Sequence, residues 1–291
     1  MDLLEHLLRA PAHREPIPDL ASWFERLEAC PFEGSIERAV WAGFESDRLG
    51  YAFVGGYEAA LGRLLAVASA DPAAARLRPL GARVSLAATE AGGGHPRAIM
   101  TRLGRSGGAL VLDGDKTFAT LASVADELLV VASEGVGEDG RSHLRLVRVP
   151  AGAPGLQIED RAPTPFAPEI PHARVTLRGV PVADDDVLPG DGYTRYLKPF
   201  RTFEDTHVLG ATLGLLVRGV RVFDFAPALA EGAIALVLAL RPISLADPSS
   251  PITHVALAGA FQAARRLVTE HEREWDKADA PSRERWHRDL G

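Results

Sequence analysis

Apolar residues recur with one period at the two ends of this chain and with another in its middle. Near the start, "IPDLASWFERLEA" sets Leu20, Trp23, Phe24 and Leu27 on one face at helical spacing. "YAFVGGYEAALGRLLAVASA" continues that pattern, with Gly55 and Gly56 placed to let helices approach closely, and Pro72 and Pro79 punctuate the exit. Residues 1–77 are therefore expected to form an N-terminal helical segment. Beyond them the helical period fades into short runs between turn signals: "ARVSLAAT", "ELLVVAS", "HLRLVRVP", "GLQIED" and "ARVTLRGVPV". "GALVLDGDKTFAT" reads as a hairpin turning at Asp113–Gly114, and "GEDGRS" as a solvated turn. Alternation in "HLRLVRVP" assigns Leu144, Leu146 and Val149 to the core and Arg145 and Arg148 to the outside. About six or seven strands result, enough for a small barrel or sandwich over residues 78–192.

Residues 193–291 return to helix. "FRTFEDTHVLGATLGLLVRGVRVF" is one long candidate, and "PALAEGAIALVLALR" is a second that starts on Pro227, a residue suited to a first helical turn. After the loop "SLADPSSPI" comes "THVALAGAFQAARRLVTEHEREWDKA", whose charged end reads as a solvated face. No internal repeat or low-complexity segment interrupts this order. The expected fold class is α+β, with a helical segment, a central β-barrel domain and a C-terminal helical bundle.

Composition narrows the function classes. With 291 residues, 46% of them hydrophobic and 24% charged, the chain can bury an ordinary core. A net charge of -7 argues against a nucleic-acid partner, which calls for a basic stripe. Cys30 is the sole cysteine, so an intrachain disulfide is impossible and a reducing, cytoplasmic setting is expected. Charges interrupt the opening "MDLLEHLLRAPAHREP", unlike a signal peptide. No run approaches about 18 uninterrupted apolar residues, so no membrane span is expected.

Chemistry concentrates in "SLAATEAGGGHPRAIM", residues 85–100, where a strand-like run ends on Thr89 and Glu90 before three glycines, His95 and Pro96. Either Thr89 and Glu90 end a strand and the glycines make a tight bend, or backbone amides there approach a bound group that any Cβ would block. Metal is not expected: Cys-x-x-Cys and His-Glu-x-x-His are absent, and "ADDDVLPGDG" lacks a calcium-loop pattern. Gly-x-Ser-x-Gly is absent too, which leaves a hydrolase triad without an anchor.

Three stretches in order resemble the acyl-CoA dehydrogenase family. "AATEAGGGHP" is similar to its Thr-Glu-Pro-x-Ala-Gly-Ser-Asp signature. "LDGDKTFATLASVADELLVVAS" is similar to its Gly-x-Lys-x-(Trp or Phe)-Ile-Thr signature, and "VTLRGVPVADDDVLPGDGY" to the close of its middle domain. The resemblance spans residues 84–193 and implies an FAD-dependent oxidoreductase acting on an acyl-CoA; separately, apolar helices such as "GAIALVLAL", which a short bundle cannot cover, lead to the expectation of a homo-oligomer. The resemblance places Thr89 against the flavin, Gly93, Gly94 and His95 at its phosphates, Phe118 over the ring system and Thr120 at the pyrimidine edge. Ser-Asp of the pattern is here His95-Pro96, and its Ile is Ala119. Both helical zones are shorter than the family's, and the Arg-x-x-Phe-Gly and Gln-x-x-Gly-Gly stretches that reach a neighbouring subunit's cofactor are absent. His95 reads either as a phosphate donor or as a local hydrogen-bonding residue.

The implied reaction needs a carboxylate to take an α-proton. In some branches of the family that glutamate lies ten residues before the glycine of a Leu-Gly pair, and "FEDTHVLGATLG" puts Glu204 in that relation to Gly214. On a helix Glu204 shares a face with Val208 and Ala211, with His207 one turn along. Glu204 and Asp205 equally suit the first turns of a helix as acids facing its dipole. The expected function is α,β-dehydrogenation of an acyl thioester. Its alternatives are a flavin monooxygenase on the same fold and a non-catalytic interaction or acyl-binding protein.

Overall fold

The computed structural model of the chain describes residues 2–69, 83–138, 140 and 142–290. Helices come first: α1 (Leu3–Arg9), α2 (Leu20–Glu28), α3 (Ser35–Glu45) and α4 (Leu49–Ser69). Asp2 and Asp19 cap α1 and α2 by accepting hydrogen bonds from the amides of Leu4 and Ser22, each at 2.8 Å. Seven strands follow: β1 (Val84–Ala87), β2 (Arg102–Ser106), β3 (Ala109–Thr120), β4 (Glu127–Val136), β5 (Ser142–Pro150), β6 (Leu156–Asp160) and β7 (His172–Val182). A π-helical turn over Tyr193–Leu197 leads into α5 (Lys198–Phe223), then α6 (Pro227–Leu245), α7 (Pro251–Glu270) and α8 (Ala280–Leu290). The expected mixed α+β class is thus present. Residues 78–82, where the barrel segment was expected to begin, lie outside the described residues, as do Pro72 and Pro79.

Contacts divide the chain into two compact units. One comprises Met1–Leu64, Thr164–Ile170 and Phe200–Gly291; the other comprises Leu65–Pro163 and Pro171–Pro199. In the helical unit, glycines set the closest packing. A Cβ on Gly43 would strike the Ala211 backbone, and one on Gly214 would strike that of Val40. Gly55 lies against Ala42, and a Cβ on Gly56 would come within 2.8 Å of the Val208 α-carbon. Helices α3, α4 and α5 therefore meet almost backbone to backbone, as the Gly55–Gly56 pair implied. Helices α7 and α8 are joined by a 3-10 turn, Glu272–Lys277, whose Trp275 stacks on Trp286 of α8 with ring centroids 4.0 Å apart. Sequence periodicity ran α7 through this turn and missed α8. Asp279, accepting from the Ser282 amide, and Pro281 in the first turn are the start signal that was passed over.

The second unit is a mixed sheet in the order β1-β4-β2-β3-β7-β6, with β5 pairing with β4 off that path. Strands β1 and β4 run parallel, while β3–β7 and β4–β5 are long antiparallel pairs. Leu112, Leu128, Val130, Val147, Val175 and Leu177 fill its core. Two expectations are corrected here. The hairpin turn lies at Gly107–Gly108, both with positive φ, whereas Asp113–Gly114 sits inside the continuous strand β3. Gly114 is glycine because the strand passes hard against Thr101, leaving no room for a side chain. Arg148 is also not outside: it is 2% exposed and ion-paired with the buried Glu127 at 2.7 Å.

By length and composition two helical stretches, Tyr193–Phe223 and Pro227–Leu245, reach membrane-spanning size, although neither is an uninterrupted apolar run. The first is 72% buried over its most apolar window, as a core helix is; the second is only 28% buried.

Candidate functional site

The stretch that drew attention in the sequence builds a compact polar site in the sheet unit. After β1 the chain reaches Thr89, which bridges Phe118 of β3 and accepts a hydrogen bond from the Thr117 amide at 2.9 Å. Glu90 turns inward. Its carboxylate accepts from the Met100 amide (2.7 Å), the Thr101 amide (3.1 Å), the Thr101 hydroxyl (2.8 Å) and Lys116 Nζ (2.7 Å). Burial opposes the negative charge, but the Lys116 ammonium and these donors hold the carboxyl below its ordinary range. Lys116 is fully buried and also donates to the Val131 carbonyl. Burial pulls it down to about 8, with Glu90 pulling the other way.

A bulge in β3 decides which residues the site presents. Register against β7 shifts between Lys116 and Ala119, so Lys116 and Ala119, three apart, both point inward. Phe118 and Thr120 are thereby turned out together, and Phe118 is 36% exposed. The strand then ends at Leu121, held at φ 62° with its amide donating to the Pro171 carbonyl. Across from Thr120 stands His172, the first residue of β7. Its ring stacks on Phe118 with centroids 4.2 Å apart, and its Nδ1 lies 3.2 Å from the Thr120 hydroxyl. Arg161 completes the group, donating to the Thr117 carbonyl with its guanidinium 5.6 Å from the Phe118 ring centre.

Beside this wall runs the glycine turn. Gly93 has φ +95° and open space where a Cβ would stand, and Gly94 lies beside the Thr89 hydroxyl. Gly93 exchanges both backbone hydrogen bonds with Glu90, so its amide is committed. The amides of Ala91, Gly92, Gly94 and His95 donate to nothing among the described residues. His95 Nδ1 accepts from the Arg97 amide at 3.3 Å. Exposed donors around an open glycine turn, next to an outward aromatic wall, fit a flat cofactor with an anionic tail. Thr89, the glycine turn, Phe118 and Thr120 thus sit together in one unit.

Glu204 belongs to the helical unit, on α5. It is half-buried and makes no hydrogen bond or ion pair to a described residue. Burial and the adjacent Asp205 raise it to about 7, against a smaller opposing effect of Arg201. His207 points elsewhere: it is fully buried, bonded to the Phe203 carbonyl (2.6 Å) and the Ser35 hydroxyl (2.9 Å), and burial pushes it down to about 4. It ties α5 to α3. Sequence reading missed Lys116, His172 and Arg161. A lysine inside a barrel strand, opposite an already noted glutamate, was a usable signal for Lys116; cross-strand pairing brings in the other two, and no local pattern announces that.

Residues 85–180 match the family model "Acyl-CoA dehydrogenase, middle domain". Among solved structures, butyryl-CoA dehydrogenase from Megasphaera elsdenii aligns with TM-score 0.66 and 16% identity, over 94% of this chain and 85% of that one. The complex of TdsC from Paenibacillus sp. A11-2 with FMN and indole aligns with TM-score 0.66 and 16% identity, over 88% and 77%. A FAD-dependent dehydrogenase aligns at 0.65 and 16%, over 92% and 86%. No curated protein matches the chain in sequence. Over residues 85–180 the chain is thus similar to the middle domain of the acyl-CoA dehydrogenases. At these identities the solved structures speak to its fold.

Proposed function

We propose that the chain is a flavoprotein oxidoreductase that dehydrogenates the α,β bond of an acyl thioester, with FAD as cofactor and an acyl-CoA as the substrate class. Thr89, Phe118 and Thr120 would hold the ring system, and the free amides of the glycine turn with His95 would hold the phosphates. Bound flavin would supply the two-electron acceptor. The observation that carries dehydrogenation in particular is Glu204, an unpaired carboxylate whose affinity for a proton is raised to about 7. A base is most useful when its pKa lies near the working pH. Glu204 is the group that would take the α-proton, and Asp205 beside it contributes to the raised value.

Absorption spectra of the protein with FAD, before and after anaerobic addition of acyl-CoAs of different chain length, test the reading. Glu204→Gln should slow flavin reduction by about 10² to 10⁴ while changing affinity much less. Gly94→Val should weaken FAD retention, because its side chain would stand beside the Thr89 hydroxyl at the mouth of the turn. Equal reduction rates in wild type and Glu204→Gln would remove Glu204 from the reaction. A second reading has its own support. The dibenzothiophene monooxygenase TdsC aligns as well as the dehydrogenases do, with TM-score 0.65 and 16% identity. In that reading bound flavin would supply oxygen chemistry and no α-proton base would be needed, so Glu204→Gln would leave oxygen-dependent turnover unchanged.

Self-association is part of the proposal. Helices α6 and α7 line an apolar groove of about 600 Å³ walled by Leu236, Pro242, Ile243, Ile252 and several alanines. Leu245, Ile252 and Val255 are each more than 70% exposed beside it. A second copy of the chain is the proposed occupant, because large side chains and a small-residue groove on one face can interlock about a two-fold axis.

A further inference from the structure

We propose that His172 is a positioning residue whose state sets the direction of the Thr120 hydroxyl, and so whether the site offers a donor or an acceptor there. Where it concerns the cofactor, this rests on the flavin reading above. A threonine hydroxyl has one proton and two lone pairs. With Nδ1 of His172 bare, Thr120 spends its proton on the ring and presents only lone pairs outward. With Nδ1 protonated, in the other tautomer or in the imidazolium, Thr120 accepts from the ring and its own proton is free for a ligand. The two side chains lie directly opposite in the β3–β7 ladder, with Oγ1 and Nδ1 3.2 Å apart. That geometry serves either arrangement.

The surroundings fix which state prevails. Phe118 covers one face of the imidazole, and the Arg161 amide donates to the His172 carbonyl at 2.8 Å, which brings the guanidinium close. Burial first, and then Arg161, lower the His172 pKa below its ordinary value of 6.5. The other charged groups on adjoining elements do not face the ring. Lys116 of β3 points into the core with Glu90, Glu159 and Asp160 of β6 stand opposite Arg174 and Ala173, and the turn Ala122–Val124 carries no charge. The ring is therefore neutral near pH 7. Its Nε2 has no partner among the described residues, and a water-facing Nε2 keeps the proton there and leaves Nδ1 bare. Thr120 then points its proton at His172. Acidification through the lowered pKa reverses the bond and frees a donor. A flavin's pyrimidine edge displays two carbonyl oxygens and one N–H, so the reversal changes which of its atoms Thr120 can satisfy.

Two measurements test this. The first uses the free protein: ¹⁵N NMR of the histidine rings should find Nδ1 of His172 unprotonated at about pH 8, with a titration midpoint below 6.5 that moves in Thr120→Val. An unmoved midpoint, or a protonated Nδ1 at about pH 8, would overturn the proposal. The second is FAD binding, followed by fluorescence quenching at about pH 5.5 and about pH 8. Wild type should bind more tightly at the lower pH by about threefold or more, whereas His172→Gln, which keeps a hydrogen-bonding side chain but cannot titrate, should lose that difference. His172→Phe keeps the stack on Phe118 and should lose it too. A pH dependence retained in both variants would overturn the assignment. Absence of FAD binding by wild type at both values, with the NMR coupling present, would sink the flavin reading alone, and the imidazole–hydroxyl coupling would stand.

Discussion

Glu204 carries a cost that its proposed chemistry explains. Folding lifts its pKa from 4.5 to about 7, so between those values the folded state holds a proton that the unfolded chain has released. Its contribution is therefore fully present below about pH 4.5 and is lost as the pH rises to about 7. Glu204→Gln escapes that penalty. It should match wild type in urea unfolding near pH 4 and exceed it near pH 8 by something on the order of 1 kcal/mol after solvent screening. Equal stability at both values would show that the carboxyl has ordinary proton affinity. A second residue carries strain of a different origin. Asp224, exposed just beyond α5, is held at φ 56°, where a Cβ is disfavoured. Asp224→Gly should gain about 0.5 kcal/mol, the relief being partly offset by a freer unfolded chain, and Asp224→Ala should lose stability. Urea midpoints of the two variants check the order.

At the scale of elements, the Glu90–Lys116 pair is what locks the glycine turn to the bulged end of β3. Removing one partner leaves the other charged, buried and unpaired. Lys116→Met or Glu90→Gln alone should therefore cost about 3–5 kcal/mol, and the double variant less than either single change. Chemical denaturation of the three variants measures it; additive losses would mean that the two groups are energetically independent. Legibility from sequence divides along the same line. Strand runs and the Gly55–Gly56 contact are readable because period and local residue chemistry determine them, whereas the Thr89–Phe118–Thr120 grouping comes only through the resemblance to the acyl-CoA dehydrogenases. Arg148 was misplaced because alternation assigns a face without knowing that Glu127 waits on the neighbouring strand. Asp113–Gly114 resembles a turn in sequence because close approach to Thr101 asks for the same glycine that a hairpin does. His172 and Arg161 enter the site only through pairing between distant strands.

For the molecule as a whole, the test is its state of association. The α6–α7 face is apolar where Leu236 to Ala246 meets Ile252 to Ala263. Light scattering at micromolar concentration should give a mass above the 31.1 kDa of one chain. Ile252→Asp with Leu245→Lys should return it to monomer without loss of helix by circular dichroism, since both side chains are exposed in the single chain. A monodisperse wild-type monomer would remove the interface.

The division of the chain into units also sets an order of synthesis. All of the sheet unit has been made once Pro199 leaves the ribosome, whereas the helical unit draws its last segment from residues up to the C-terminal helix. Loop Thr164–Ile170, lying between two strands in sequence, belongs to that helical unit. It is fastened there by Asp289 to the Ala167 amide and by Arg288 to Glu169, both from α8. A nascent chain therefore holds a finished sheet while α1–α4 still expose the apolar faces meant for α5, with the loop's anchors not yet translated. Such an intermediate is a ready client for chaperones. Slowing translation after residue 199 should prolong that exposure, while slowing it before residue 65 should not.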